Sequence, residues 1–207
     1  MEIFLGLFLS YLLGAIPTAY LFGKIAKGID IRQHGSGNVG ATNAFRILGK
    51  KVGAIVLLLD ILKGTLAITV IGNLFHFDKV FLRVLLGVMV VIGHNWTVFL
   101  QFKGGKGIAT SLGVLVGLAV QYETLRIVLG MTVLIWVIIF LLSGFVSLSS
   151  IIASIILPLA MLATNQPFEM VAMGVIFCIF VVLRHKANIK RLISGKEARS
   201  NWPFKRS

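Results

Sequence analysis

Long apolar stretches alternate with short polar ones along the whole chain. A membrane-spanning helix needs about 20 apolar residues or somewhat fewer, and seven stretches meet or approach that length. In chain order they are Ile3–Ala26, Val52–Leu74, Val80–Leu100, Ile108–Tyr122, Ile127–Leu142, Ile151–Ala163 and Met170–Leu183. The pattern therefore predicts an all-α, polytopic membrane helix bundle with seven transmembrane helices, and we expect residues 1–207 to form a single domain.

Several of these stretches carry features that predict irregular helices. Pro17 predicts a kink in the first stretch and Pro158 a bend in the sixth, because proline removes one helical hydrogen bond. The fourth stretch is short, so we expect it to be tilted or partly buried in protein. Between the fifth and sixth, Ser143–Ser150 is predicted to be a turn whose serines mostly cap helices.

Composition supports a membrane protein. Hydrophobic residues make up 57% of the chain and charged residues only 13%, against about 25% charged in a soluble domain. The net charge of +13 lies mostly in the loops, so membrane topology and anionic headgroups explain it better than nucleic acid does. The single cysteine, Cys178, excludes an internal disulfide, and four dispersed histidines argue against a zinc site.

The basic residues also predict the orientation. Residues 24–51 carry six Lys or Arg, residues 101–107 two and residues 184–207 eight, which is sixteen of the twenty in the chain. With seven spans, these three segments lie on one side of the membrane. The positive-inside rule makes that side cytoplasmic, which places the N-terminus outside and the C-terminus inside.

The first of these basic segments contains a glycine-rich motif, Gly35-Ser36-Gly37-Asn38-Val39-Gly40-Ala41-Thr42-Asn43. Glycine lets backbone N–H groups approach a ligand, and successive N–H groups can form an anion-binding concavity. The serine, threonine and asparagine side chains add donors, and Arg46 can bind phosphate in a bidentate manner. The motif is thus a candidate phosphate site, and an ordinary turn between two helices is the alternative.

The second basic segment is Phe102-Lys103-Gly104-Gly105-Lys106-Gly107, which leads into the fourth apolar stretch. A glycine turn that opens a helix presents free N–H groups and the positive end of the helix dipole to an anion. The Walker spacing is missing, so the segment is not a P-loop. A positive-inside loop would explain the lysines but not three glycines, and we therefore favour phosphate binding.

Asp60, Lys63 and His94 are ionisable residues within the apolar stretches. Asp60 and Lys63 are three residues apart, so they can pair on one helical face. Charges at membrane depth indicate functional positions by default, and a structural ion pair is the alternative. For His94, a structural, hydrogen-bonded role is favoured over proton transfer.

The third basic segment, His185-Lys186-Ala187-Asn188-Ile189-Lys190-Arg191-Leu192, is amphipathic. His185, Asn188 and Leu192 share one face at helical spacing. His185 could act as a general base or only orient a substrate hydroxyl, and a surface helix on anionic lipid is the alternative. From the residues alone, the chain is a membrane enzyme or a carrier for an anionic amphiphile.

Taken together, the three motifs resemble those of the bacterial acyl-phosphate-dependent glycerol-3-phosphate acyltransferases, which are integral membrane enzymes of phospholipid synthesis. The resemblance covers essentially the whole chain, and Gly195 and Glu197 also match the family's third motif. It implies acyl transfer from acyl phosphate to the 1-hydroxyl of sn-glycerol 3-phosphate, which gives lysophosphatidate and phosphate. The acyl-CoA enzymes carry His-x4-Asp, whereas His94 is followed five residues later by Phe99.

The resemblance also implies roles for individual residues. Ser36, Gly37, Asn38 and Thr42, with their backbone N–H groups, would hold the acyl phosphate and stabilise the oxyanion of the tetrahedral intermediate. Glycerol 3-phosphate would be bound by Arg46 and the second loop, and its glycerol would be oriented by His185, Asn188 and Ser147. Either His185 or a substrate phosphate would take the hydroxyl proton. The predicted catalytic residues are Ser36, Asn38, His185 and Asn188, and the predicted substrate-binding residues are Gly37, Thr42, Arg46, Lys103, Gly104, Gly105, Lys106 and Ser147.

No cofactor or metal is expected. The expected partners are acyl phosphate, glycerol 3-phosphate and membrane lipids, with no nucleic acid, and we expect a monomer in the bacterial inner membrane with its active site facing the cytoplasm. A carrier for an organophosphate or lipid anion remains the alternative. Carriers more often show internal repeats with broken helices that meet at the midplane, and no clear repeat is found here.

Overall fold

The computed structural model describes residues 1–200, which fold into helices joined by short loops, with no strand in that range. By their contacts, the residues divide into two compact units, Met1–Tyr122 and the part that begins at Glu123. The α-helices within residues 1–200 are α1 Glu2–Ala15, α2 Thr18–Lys27, α3 Ala41–Ile47, α4 Lys50–Leu66, α5 Gly72–Leu74, α6 Val80–Asn95, α7 Ile108–Gln121, α8 Leu125–Ser143, α9 Val146–Ala163, α10 Phe168–Arg184 and α11 Lys186–Ile193.

In the first unit, α1 packs against α6 and α4 packs against α7. Glycines make both contacts close: a Cβ at Gly14 would collide with the carbonyl oxygen of Val90, and a Cβ at Gly113 with that of Ile61. Small residues allow this backbone approach between membrane helices, where lipid gives apolar side chains little reason to associate. Single added methyl groups at these glycines would therefore separate the helices.

The kink predicted at Pro17 is confirmed as a complete break between α1 and α2. Carbonyl groups at a broken helix in a membrane need new donors. The hydroxyl of Thr97 donates to the carbonyl oxygen of Ala15, and the ammonium of Lys63 donates to that of Ile16 at 2.6 Å. The break is thus held by side chains from other elements of the unit.

A second irregularity follows α4, where residues Ala67–Ile71 form a π-helical turn. Arg83, only 4% exposed, donates to the carbonyl oxygen of Ile68 and to Oδ1 of Asn73, each at 2.8 Å. π-Turns leave backbone groups out of the regular ladder. A buried guanidinium supplies the donor needed here.

In the second unit, α9 packs against both α8 and α10. The indole N–H of Trp136 on α8 donates to the hydroxyl of Ser150 on α9 at 3.1 Å. Between α10 and α11 the chain bends by 63°, with His185 at the junction. The bend ends the apolar segment and starts the amphipathic one.

The serine-rich segment differs from its prediction. Only Gly144 and Phe145 separate α8 from α9, and the serines lie in helices instead of capping them. Ser149 and Ser150 donate to the carbonyl oxygens four residues earlier, at 2.9 and 2.8 Å. Such back-bonding satisfies a hydroxyl within the helix, so a polar run need not end it. Pro158 also lies inside the continuous α9.

All seven predicted stretches are helical, but not all of the helices are long enough to cross a membrane. Within residues 1–200, five segments are long and apolar enough to cross a membrane: Glu2–Lys27, Lys50–Leu74, Val80–Leu100, Leu125–Ser143 and Val146–Ala163. The bent pair α10–α11 brings the number to six. The 14 residues of α7 rise about 21 Å, which is less than the roughly 30 Å of a hydrocarbon core.

Candidate active site

The first glycine-rich motif is organised by Asn43, whose side chain is 1% exposed. Its amide nitrogen donates to the carbonyl oxygens of Ile31 and His34, and its Oδ1 accepts the N–H of Ser36 at 3.0 Å. Gly35 has φ +62°, and a Cβ there would collide with the same Oδ1. The sequence analysis counted Asn43 only among the possible donors to a ligand, whereas in the structure its side chain bonds to the backbone and shapes the loop.

This arrangement corrects one expectation for the motif. The N–H of Ser36 is bonded to Asn43, and the N–H of Gly37 donates to the carbonyl oxygen of His34 at 3.1 Å. These two N–H groups therefore do not form the anion-binding concavity that the glycine pattern suggested. The Ser36 residue itself is exposed and Asn38 is half-buried.

Just before this motif, Asp30 and Arg32 form an ion pair at 2.7 Å. Hydrogen bonding from the Arg32 guanidinium lowers the pKa of Asp30 to about 2, although some burial of the carboxyl opposes the shift. The Asp30 carboxylate also accepts the N–H of Arg32 at 3.0 Å. Asp30 thus caps the short 3-10 turn Ile31–Gln33 that leads into the glycines.

Residues 41–47, which the sequence analysis treated as loop, form α3. Thr42 and Arg46 are both exposed and lie four residues apart, on one face of the helix. The ammonium of Lys27 donates to the carbonyl oxygen of Ile47 at 2.6 Å, at the C-terminal end of the helix. The hydroxyl and the guanidinium therefore point the same way from a short rigid element.

The second glycine loop is anchored to the end of α6. The N–H of Gly104 donates to the carbonyl oxygen of Asn95 at 3.1 Å, and that of Gly105 to the carbonyl oxygen of His94 at 3.0 Å. A Cβ at Gly104 would collide with the carbonyl oxygen of His94, and one at Gly105 with the imidazole Nε2. Gly104 therefore requires glycine, and a side chain at residue 105 would require the His94 ring to move.

The loop ends at the start of α7. Gly107 has φ +80° and occupies the N-cap position of α7. Lys103 is exposed and Lys106 is half-buried. Positive charge beside a helix N-terminus is suited to an anion.

The two glycine motifs adjoin within the first unit. A small cavity of about 10 Å³ is lined by Val39 of the first motif, Gly105 of the second, Thr97, His94 and the helix break at residues 15–18. Its volume is close to that of a single water molecule, so it holds no substrate. It shows instead that the two motifs and the break meet at one place.

In the second unit, the carboxylate of Glu197 gathers three donors. Its Oε1 accepts the hydroxyl of Ser147 at 2.7 Å and the amide of Asn188 at 2.6 Å. Its Oε2 accepts the Nε–H of Arg191 at 2.7 Å. Two predicted site residues, Ser147 and Asn188, are thus brought together by a glutamate that the sequence analysis matched to the third motif without giving it a role.

The network also sets the charge state of Glu197. Burial of the carboxylate raises its pKa, but the hydrogen bonds from Asn188, Ser147 and Arg191 outweigh burial, and the pKa lies below its ordinary value of 4.5. Glu197 is therefore ionised at neutral pH. A carboxylate only accepts hydrogen bonds, so it fixes the Asn188 amide with its nitrogen toward Glu197 and its oxygen turned elsewhere.

His185 is 2% exposed. Its Nδ1 lies 2.8 Å from the carbonyl oxygen of Val181. A carbonyl oxygen only accepts, so Nδ1 carries the proton and, in the neutral ring, Nε2 carries the lone pair. The ring is thus held in the tautomer that can accept a proton at Nε2.

Within the described part of the chain, no three metal-ligating side chains come close enough to hold a metal ion. The exposed side chains of the two glycine motifs and α3 include the donors and cations Ser36, Thr42, Arg46 and Lys103, which suit phosphate oxygens.

Comparison with known proteins gives a consistent result. Residues 4–195 match the family model for glycerol-3-phosphate acyltransferase. The chain is 45% identical to the glycerol-3-phosphate acyltransferase of Bacillus subtilis (strain 168), with 98% of this chain and 100% of the relative covered. It is 39% identical to that of Fusobacterium nucleatum, with 95% and 97% covered.

Two solved structures are also similar. One is the glycerol 3-phosphate form of PlsY (YgiH), an integral membrane glycerol 3-phosphate acyltransferase, with a TM-score of 0.87, 38% identity and 97% of this chain and 96% of that chain covered. The other is the lysophosphatidic acid form of the same enzyme, with a TM-score of 0.84, 37% identity and 96% and 95% covered.

Proposed function

The chain belongs to the glycerol-3-phosphate acyltransferase family, and we propose that its acyl donor is acyl phosphate and its acceptor the 1-hydroxyl of sn-glycerol 3-phosphate. It is a multi-pass membrane enzyme that transfers an acyl group to glycerol 3-phosphate. The observation that carries the proposal is the adjacency of two glycine-rich, donor-bearing motifs around one small cavity. Two phosphate-bearing substrates need two neighbouring anion sites, and adjacent motifs of this kind can supply them.

The reaction is a displacement at a carbonyl carbon. The glycerol oxygen forms a bond to the acyl carbon, the bond from that carbon to the phosphate oxygen breaks, and phosphate leaves with the bonding electron pair. The hydroxyl proton goes to a base. Donors aimed at the carbonyl oxygen stabilise the tetrahedral intermediate, and holding both substrates in line supplies much of the remaining rate.

Roles in the first unit follow from exposure and charge. We assign the acyl phosphate to the Ser36 hydroxyl and to the side chains of Asn38 and Thr42, and Gly37, with φ +71°, supplies the turn that presents them. We assign the glycerol phosphate to Arg46 and to the second loop, whose residues are Lys103, Gly104, Gly105 and Lys106. A guanidinium can grip phosphate through two N–H groups, and the lysines add point charges.

Ser36→Ala tests the first of these assignments. Because the Ser36 side chain is exposed and its N–H is already bonded to Asn43, the variant should fold normally. We expect kcat to fall by about 10²-fold, the usual loss when one oxyanion donor is removed. Steady-state lysophosphatidate formation measures the effect, with the exposed Ser194→Ala as the matched control. Unchanged turnover in folded Ser36→Ala protein would remove the residue from the mechanism.

In the second unit, we propose that His185 accepts the hydroxyl proton at Nε2 and that Asn188 and Ser147 orient the glycerol. His185→Ala should lower kcat by about 10²- to 10⁴-fold, the contribution of a general base. His185→Asn retains an amide donor for the Val181 carbonyl and should be equally impaired, because it lacks Nε2. Full activity in His185→Ala would instead assign the proton to a substrate phosphate.

We also propose the finer topology. The N-terminus lies outside, the C-terminus lies in the cytoplasm, α7 acts as a short seventh span, and the enzyme is a monomer in the inner membrane. Sixteen of twenty Lys and Arg residues in three segments support this orientation. In a Cys178→Ser background, a membrane-impermeant maleimide should label Asp78→Cys in intact cells and Ser194→Cys only after permeabilisation. The reverse pattern would refute the orientation.

The donor assignment is tested by offering purified enzyme glycerol 3-phosphate with palmitoyl phosphate, palmitoyl-CoA or a palmitoylated carrier protein. We expect lysophosphatidate from palmitoyl phosphate alone. Product from either thioester at a comparable kcat/KM would refute acyl phosphate as the specific donor. The assignment of glycerol 3-phosphate as acceptor would still stand.

A further inference from the structure

A buried ion pair in the first unit has no part in the chemistry proposed above. Asp60 and Lys63 lie on α4 with side chains 1% and 5% exposed, and the ammonium is 2.8 Å from Oδ1 of the carboxylate. Charged groups inside a membrane protein are costly, and replacing such a pair by apolar residues is often neutral or stabilising. Stability alone is therefore a poor reason for these two residues.

The pair is connected first to the helix break. Thr18, at the start of α2, donates its hydroxyl to Oδ1 of Asp60 at 2.6 Å. Lys63 donates to the carbonyl oxygen of Ile16 at 2.6 Å. The carboxylate therefore holds one side of the break and the ammonium the other.

The pair is connected next to the second glycine loop, through His94. The imidazole Nδ1 lies 3.7 Å from Oδ1 of Asp60, and the opposite edge of the ring covers Gly105, where a Cβ would collide with Nε2. The backbone of His94 also accepts the N–H of Gly105 at 3.0 Å. The imidazole of His94 thus lies between the carboxylate on α4 and the backbone of the loop.

We propose that Asp60, Lys63 and His94 are positioning residues that hold the second glycine loop against the helix break, in the conformation that binds the phosphate of glycerol 3-phosphate. The proposal rests on the function assigned above to that loop. The three side chains touch no reacting atom, so their loss acts through the loop. Binding of glycerol 3-phosphate is weakened more than turnover at saturation.

The packing of α4 against α7 does not depend on these charges. The contact between α4 and α7 is made by Gly64, where a Cβ would collide with the carbonyl oxygen of Thr110, and by Gly113 against Ile61. A neutral pair of similar shape therefore leaves the helices packed. Removing only one charge leaves the other buried and uncompensated, which is strongly destabilising.

The test compares Asp60→Asn, Lys63→Met, the double variant and His94→Ala in steady-state assays with separate titrations of each substrate. We expect the double variant and His94→Ala to remain folded, with KM for glycerol 3-phosphate raised about 10-fold or more and kcat within about threefold of wild type. The single charge variants should be less stable than the double variant. If the single charge variants fail to fold, the KM values of the double variant and of His94→Ala test the positioning role.

The control is the exposed pair of Glu123 and Arg126, which has the same three-residue spacing and a distance of 3.0 Å. Glu123→Gln/Arg126→Gln should leave both KM values unchanged, since exposed pairs contribute little. Wild-type KM values in a folded Asp60→Asn/Lys63→Met protein would refute the positioning role. Absence of product from the wild-type enzyme would refute the proposed function instead.

Discussion

Gly104→Ala should reduce lysophosphatidate formation by about 10²-fold or more, with most of the loss in KM for glycerol 3-phosphate. The added methyl group collides with the carbonyl oxygen of His94, a backbone atom that no side-chain rotation can move away. The hydrogen bond from Gly104 to Asn95 then has to lengthen, and the loop shifts. A shift of about 1 Å in a binding element is enough for a 10²-fold loss.

Gly130→Ala is the matched control, because a Cβ at Gly130 on α8 meets nothing within 4 Å. It should retain wild-type activity, and helix propensity favours it slightly. The activity of Gly105→Ala should lie between those of Gly104→Ala and Gly130→Ala, because the added methyl group there meets the His94 side chain, which can move. Activity of Gly104→Ala within threefold of wild type would contradict the requirement for a tight loop.

Glu197→Ala should also cause a large loss of activity. Three groups donate to this carboxylate at 2.6 to 2.7 Å. Ser147 and Asn188 are buried, and a buried donor left without a partner costs about 1–3 kcal/mol. The Asn188 amide and the Ser147 hydroxyl then lose the acceptor that orients them, so we expect kcat to fall by about 10²-fold. Glu197→Gln keeps the shape but turns a donor toward Arg191 and should be intermediate. The exposed Glu123→Ala is the control.

The Glu197 network also predicts a pH dependence. Its pKa is lower in the folded enzyme than its ordinary value of 4.5, so the network stabilises the fold fully above that value and loses its contribution as the pH falls through the lowered pKa. Thermal unfolding of wild type and Glu197→Gln should therefore differ most at neutral pH and converge in acid. A difference that grows toward acid pH would show that the carboxylate is not the stabilising form.

Much of the architecture can be predicted from the sequence, because the length of an apolar stretch and the position of a proline determine local helix structure. The seven apolar stretches are helical, Pro17 marks a real break, and the three-residue spacing of Asp60 and Lys63 does give an ion pair. Span number is less secure, because α7 has only 14 residues and hydropathy alone does not measure how a short helix meets the bilayer.

The remaining features depend on contacts between distant residues. Asn43 closes the first motif by bonding to residues 7 to 12 positions away, and Glu197 meets Ser147 across 50 positions. Neither contact leaves a periodic signal. The segment from Ala41 to Ile47 is too short and polar to stand out as a helix, and Ser149 satisfies its hydroxyl inside a helix where serine usually suggests a cap.

The most direct test of the account is phosphate release by purified enzyme in detergent or lipid cubic phase, supplied with palmitoyl phosphate with and without glycerol 3-phosphate. We predict that release depends on glycerol 3-phosphate and that one lysophosphatidate forms for each phosphate released. Folded enzyme that releases no phosphate, or releases it equally without glycerol 3-phosphate, would contradict acyl transfer from acyl phosphate.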